Sequence, residues 1–299
     1  MAKKLKQLNE QVIVVTGASS GIGLATAQRA SAQGAKVVLA ARSVETLNDL
    51  VSVIEQTGGQ AVAVAADVSN RDDLERVANA AIEHFGRIDT WINNAGVAIF
   101  GRLDQVSERD SRRLFDINFW GVVNGSLVAL PALRASGGAL INVGSEVSDA
   151  VAPLQGMYSA SKHAVKGFTD ALRIEVEQLD HADVSITLVQ PTAVNTPYPQ
   201  HAKNYMKQEP KLPTPQIDPE DVAEAILAAA TSPTRDVKVG AMAKINTTVA
   251  KVMPKLGDKL AAKQADRQQY DEPPRDPDGT LYRPGQSGRI HGSGGVEAR

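Results

Sequence analysis

Short, solidly apolar runs alternate with segments of helical character along most of this chain, and that alternation limits the fold more than any other feature. The runs cover residues 11–16, 36–41, 61–66, 88–92, 139–143 and 184–189, with a last short one at 237–239. Helical segments fall between them at 22–33, 43–56, 71–85, 107–134, 158–179 and 218–230. Strands without a polar alternation are buried on both faces. Joined through helices they form a parallel sheet, and right-handed crossovers place helices on both sides of it. The expectation is an α/β protein with a doubly wound parallel sheet. It is a single domain over residues 1–240 followed by a C-terminal extension, 241–299. A length of 299 residues with 42% hydrophobic composition suffices for one large core and a tail.

Composition removes several function classes. The chain has no cysteine, which excludes disulfides, thiolate catalysis and cysteine-ligated zinc. Its five histidines show no metal-ligand spacing, so no metal is expected. A formal net charge of −2 leaves no electrostatic footprint for nucleic acid. The basic start at Lys3, Lys4 and Lys6 is followed by Gln7, Asn9 and Glu10, where a signal peptide needs an apolar stretch. Nowhere do about 18 apolar residues run together, so no transmembrane segment is expected and a cytoplasmic setting is the default.

The first apolar run leads straight into Thr16-Gly17-Ala18-Ser19-Ser20-Gly21-Ile22-Gly23. A glycine-rich turn between a strand and a helix brings backbone N–H groups to phosphate oxygens, and the helix N-terminus adds partial positive charge. Gly17 permits the tight turn, Gly21 close approach, and Gly23 tight packing of helix on strand. Ser19, Ser20 and Ile22 belong to the same phosphate-binding turn. Ala41 and Arg42 stand at the end of the second run, where an NAD enzyme has an acid for the adenosine ribose. Arg42 either donates forked bonds to a 2′-phosphate, with Ser43 beside it, or is a surface arginine at a helix start.

Tyr158 and Lys162 are four apart and share a helix face. A tyrosine is a poor acid/base near neutrality, and a neighbouring ammonium is expected to lower its pKa. The pair follows the fifth run, on the rim where ligands of such sheets bind. Ser145 ends that run and could hold a substrate oxygen or serve as a turn residue. Asn118 sits within a helical segment that it does not favour. Asn93-Asn94-Ala95-Gly96 ends the fourth run, where buried amides could brace neighbouring strands. No G-x-S-x-G elbow is present.

In these ordered motifs, together with Asp67-Val68 and Pro191 with Thr196, residues 11–240 closely resemble the short-chain dehydrogenase/reductase family and its Rossmann fold. The resemblance implies an oxidoreductase that transfers a hydride between nicotinamide and a carbonyl or alcohol. Tyr158 would exchange a proton with the substrate oxygen, which Ser145 would position. Lys162 would lower the tyrosine pKa and bond the nicotinamide ribose, and Asn118 would hold a relay water. Asn94, Ala95 and Gly96 would line the cofactor site, Asp67 and Val68 would meet the adenine, and Pro191, Val194 and Thr196 the nicotinamide amide. The pair Ala41-Arg42 looks like the family's NADP(H)-preferring branch. A loop at about 192–216 would cover the substrate, and the two long helices would carry a homo-oligomer interface. Thr192, where many members have glycine, departs from the pattern. A cofactor-binding regulatory protein without turnover, or an epimerase or dehydratase on the same fold, are the alternatives.

The extension is harder to read. Val249, Val252, Met253, Leu256 and Leu260 follow helical spacing, although Pro254 and Gly257 oppose a helix. Such a stripe packs on protein or, less favourably, on a membrane surface. From about Asp271 prolines and glycines cluster, giving either a flexible tail or an extended arm lying on something else.

Overall fold

A computed structural model describes residues 4–265, 267–285 and 288–292. The chain alternates β1 (Val12–Thr16), α1 (Gly21–Ala32), β2 (Lys36–Ala41), α2 (Val44–Gln56), β3 (Gln60–Ala65), α3 (Arg71–Phe85) and β4 (Thr90–Asn93). A two-residue strand β5 (Ile99–Phe100) precedes α4 (Glu108–Phe115) and α5 (Gly121–Ser136). Next come β6 (Ala139–Val143), α6 (Gly156–Arg173), β7 (Ser185–Pro191), α7 (Tyr198–His201) and β8 (Lys203–Asn204). The series ends with α8 (Pro219–Thr231), β9 (Asp236–Val239), α9 (Ala241–Val252) and α10 (Pro254–Ala265).

Seven strands form one all-parallel sheet in the order β3-β2-β1-β4-β6-β7-β9. The apolar runs are therefore the strands of a doubly wound sheet, with one core layer on each face. The winding reverses between β1 and β4, which opens a crevice beyond their carboxyl ends. The amides at the end of β4 do brace this region. Asn93 accepts the Trp91 indole N–H at 2.8 Å and donates to Asn142 on β6 at 2.9 Å, all three residues being buried.

Two expectations need correction. The segment 107–134 is not one regular helix. It is α4 and α5 joined by a wide π turn, Asp116–Trp120. Asn118 sits in that turn because its amide grips both backbone groups of Val97, at 2.9 and 3.0 Å. The segment 158–179 likewise ends in a π turn, Ile174–Leu179. The pair β5–β8 was invisible in the sequence because two residues per strand carry no periodicity.

Of the two readings of the tail, the extended arm on the domain is the one observed. Pro254 does not end a helix but begins α10, a position where its missing N–H costs nothing. Beyond α10 the arm follows the 203–211 segment: Tyr270 N–H donates to Glu209 and Asn204 N–H to Pro277. Leu281 is wholly buried in the main core. No helix among the described residues is long and apolar enough to cross a membrane.

Candidate active site

The glycine-rich turn leaves β1 at Thr16 and enters α1 at Gly21. Asn94 holds it from the neighbouring strand end, donating its amide to the carbonyls of Thr16 at 2.9 Å and Gly17 at 3.3 Å. Two glycines are required by contact. A Cβ on Gly17, whose φ is +68°, would meet the Ala95 backbone at 2.8 Å, and one on Gly23 would meet the Gly17 carbonyl at 2.2 Å. At the head of α1, Leu24 N–H returns to Ser20, and Gly21 N–H donates to the Arg289 carbonyl of the arm at 2.9 Å. Among the described residues nothing accepts the N–H group of Ile22, which lines the crevice as a ready anion donor.

One cavity of about 730 Å³ runs from this turn past Arg42, Ser43, Asp67 and Val68 to Ser145, Tyr158 and Lys162. Ser19, Ser20, Asn94, Ala95, Gly96, Pro191, Val194 and Thr196 also line it. Gly23 and Asn118 do not. Gly23 serves packing, and the Asn118 amide is engaged by Val97 and by Ser161 at 3.2 Å. A relay through Asn118 therefore does not pass through its side-chain amide. Asp67 is also more engaged than the sequence suggested. Burial would raise its pKa, but bonds from Arg113 and Ser69 hold the carboxyl below its ordinary range. Arg113, on α4, had no signal in the sequence.

At the catalytic end, α6 carries Tyr158 and Lys162 one turn apart, and Ser145 leaves β6 directly opposite. Ser145 hydrogen-bonds the Tyr158 side chain, as does Tyr198 from α7, whose ring centroid lies 5.4 Å from that of Tyr158. Lys162 Nζ donates to the Val143 carbonyl at 2.8 Å and stands 5.7 Å from the centre of the tyrosine ring. The expected lowering of the Tyr158 pKa is not seen in the free protein. Burial pushes it up, the bonds from Tyr198 and Ser145 oppose this only partly, and the Glu146 charge adds to the rise. Burial also brings Lys162 down to about 8.

Several residues around this end were missed. Glu146, next after Ser145, is pushed up by burial despite bonds from Asn246 and Thr192. Those bonds are 3.0 Å each, which gives Thr192 its role: it ties the start of the 192–216 loop to Glu146. Tyr198 donates to Gln155 at 3.1 Å, and Gln155 to Gln268 at 2.8 Å, so a polar chain runs from Tyr158 into the extension. An acid following Ser145 was visible in the sequence. A glutamine more than a hundred residues away was not.

Fold and site together define a doubly wound α/β oxidoreductase. Residues 11–207 match the profile of the family described as short chain dehydrogenase. The uncharacterized oxidoreductase YxnA of Bacillus subtilis is 45% identical over 277 residues, 92% of this chain and 78% of that protein. The putative oxidoreductase SadH of Mycobacterium tuberculosis is 34% identical over 84% of this chain and 94% of its own length. Among solved structures, a Burkholderia phymatum short chain dehydrogenase/reductase in complex with NAD superposes with a TM-score of 0.74 at 26% identity, covering 86% of this chain and 96% of that one. A Burkholderia cenocepacia short chain dehydrogenase in complex with NADP gives 0.71 at 28%, covering 86% and 98%. The chain belongs to the short chain dehydrogenase family.

The buried ammonium of Lys162 donates to the Val143 carbonyl and forms no ion pair among the described residues, which gives a stability prediction. Its folded-state pKa of about 8 lies below the ordinary 10.5, so between these values the unfolded chain binds the proton more tightly. Stability contributed by this site therefore rises with pH across that window. Denaturant titrations of the wild type and Lys162→Met should show the wild type gaining on the variant from neutral pH to about pH 10. A gap that is constant with pH would mean that Lys162 is not desolvated.

Proposed function

We propose that the protein is an NADP(H)-dependent oxidoreductase that moves a hydride to or from a carbonyl or alcohol carbon, with Tyr158 as the acid/base. The observation that carries this is one cavity with anion donors at one end and Ser145, Tyr158 and Lys162 at the other. The residues fit a dinucleotide: Gly17 and Gly23 have no room for side chains, and Ile22, which lines the cavity, keeps a free N–H group.

When bound, the nicotinamide supplies or accepts the hydride. The chain does the rest. The Ile22 N–H group holds the pyrophosphate, with Ser19, Ser20 and Gly21 shaping the turn and Gly23 letting helix and strand pack closely. Asp67 and Val68 receive the adenine, and Asn94, Ala95 and Gly96 line the path to the nicotinamide. Pro191, Val194 and Thr196 hold its amide. Ser145 orients the substrate oxygen while the Tyr158 hydroxyl gives or takes its proton. Lys162 holds positive charge beside the tyrosine and bonds the nicotinamide ribose. Asn118 braces Val97 beside Gly96. The far wall is apolar, with Val147, Val151, Leu212, Met242 and Val249, which suits an uncharged substrate body.

A protein that only binds cofactor has no use for a half-buried tyrosine held by a serine and another tyrosine. An epimerase or dehydratase on the same cleft returns its hydride, so net cofactor consumption separates it from the proposed enzyme. Tyr158→Phe keeps the ring and removes the proton carrier. Turnover should fall about 10²–10⁴-fold with cofactor affinity kept, as expected for a lost acid/base. Steady-state rates with bound-cofactor titrations check this, and near-normal turnover would remove Tyr158 from the chemistry.

Cofactor choice is proposed from Arg42, which no acid precedes. A charge-assisted bond of about 1.5–3 kcal/mol predicts roughly ten- to a hundredfold tighter binding of NADPH than NADH. Arg42→Ala should remove most of that preference and leave NADH binding unchanged in direct titrations. An unchanged preference would assign the phosphate elsewhere.

We also propose a homo-oligomer built on α4–α5 and α6. Trp120, Leu127, Ile174 and Leu179 lie exposed along these helical segments. Light scattering at micromolar concentration should show a mass at least twice that of the chain, and a monomer would contradict the assignment.

A further inference from the structure

Arg42 is a half-buried cation with no anion of its own. No carboxylate among the described residues forms an ion pair with it, and the acid beside it, Asp67, is held by Arg113. What Arg42 meets instead is the C-terminal arm. One terminal nitrogen donates to the Thr280 carbonyl at 2.6 Å, and the other approaches the Leu281 carbonyl at 3.5 Å. A neutral carbonyl fixes the direction of a guanidinium without cancelling its charge, whereas a carboxylate would do both. The remaining donors are left beside the cavity that Arg42, Ser43 and Thr280 line together.

Those two carbonyls are held in place by packing remote from the chemistry. The Leu281 side chain is 0% exposed, within the core cluster that contains Val68, Leu114 and Ile117. Thr280 N–H donates to the His201 carbonyl at 2.8 Å, and Arg113 Nε to the Leu281 carbonyl at 3.3 Å. Gly279, with φ +54°, turns the arm beneath Ala202, where any Cβ would meet the Ala202 carbonyl at 2.4 Å.

We infer that Leu281 is a positioning residue for cofactor selection: its burial holds the Thr280 and Leu281 carbonyls against Arg42, which presents the guanidinium to the 2′-phosphate of NADP(H). This rests on the reading of Arg42 proposed above. The arm also takes the Gly21 N–H through Arg289, so a competing arm, displaced by cofactor, is the opposite case that the test must separate.

Leu281→Ala loosens the anchor in the core. Gly279→Ala lifts the arm from Ala202 while keeping the Leu281 side chain, and Leu281→Met is the conservative control. NADPH and NADH are each titrated against all four proteins by direct binding. The wild type should prefer NADPH. Both loosening variants should lose about tenfold in NADPH affinity, equivalent to about 1.4 kcal/mol, with NADH affinity unchanged and Leu281→Met like the wild type. Equal loss for both cofactors would reduce Leu281 to structural support and overturn the inference. Tighter binding of both would show that the arm competes with cofactor, which also overturns it. A preference retained in both loosening variants sinks the inference while leaving Arg42 its role. A wild type without NADPH preference sinks both.

Discussion

The grip of Asn94 on the carbonyls of Thr16 and Gly17 is the contact on which the rest of the site depends. A parallel sheet that winds outward from β1 and β4 leaves a crevice between two strand ends and nothing to shape it. Asn94 shapes it by pinning the carbonyls of one strand end from the other. With those carbonyls turned away, the N–H groups of the next turn point outward to the crevice. Thr16 supports the same arrangement, its hydroxyl accepting the Asn94 N–H at 3.0 Å and donating to the Ile92 carbonyl at 3.2 Å. Close approach then excludes side chains at Gly17 and Gly23. Anion affinity at this point is a consequence of strand order and one amide, with little dependence on overall charge.

The extension is structurally part of the site rather than an appendage. It enters at three places, each through a different kind of contact. Asn246 of α9 bonds Glu146 beside Ser145, Gln268 closes the polar chain that begins at Tyr158, and Thr280 and Leu281 reach Arg42. Each contact is made by a polar atom or a carbonyl to a buried or half-buried group whose alternative is an unmet hydrogen bond. Such groups cost about 1–3 kcal/mol apiece when left unpaired. That cost ties the arm to the domain, although its own sequence is too poor in apolar residues to form a core.

How much of this was legible follows from the range of the interactions. The strands could be read because their burial is written into consecutive β-branched residues, as in Val12–Thr16. Turn and catalytic motifs could be placed because each lies at a strand end, and strand ends were predictable. The π turn at Asn118 could not, since it is set by Val97 across 21 residues. Nor could the raised pKa of Tyr158, which comes first from burial, with the charge of Glu146 adding to it and Tyr198 opposing it. The charge visible in the sequence, Lys162, points to a lowered pKa, whereas burial raises it in the free protein. For the arm, a proline- and glycine-rich composition was equally compatible with a loose tail. The single leucine that anchors it, Leu281, has no periodic partners to mark it as core.

The proposed reaction passes a hydride between nicotinamide held in the crevice and a substrate carbon whose oxygen exchanges a proton with Tyr158. NADPH deuterated at C4 of the nicotinamide should be mixed with the protein and a panel of uncharged ketones and aldehydes, and the products analysed by mass spectrometry. Deuterium should appear on the former carbonyl carbon of at least one substrate, with equivalent loss of the reduced cofactor. Tight binding of NADPH with no transfer to any carbonyl, and no reverse transfer from the matching alcohols to NADP+, would contradict it.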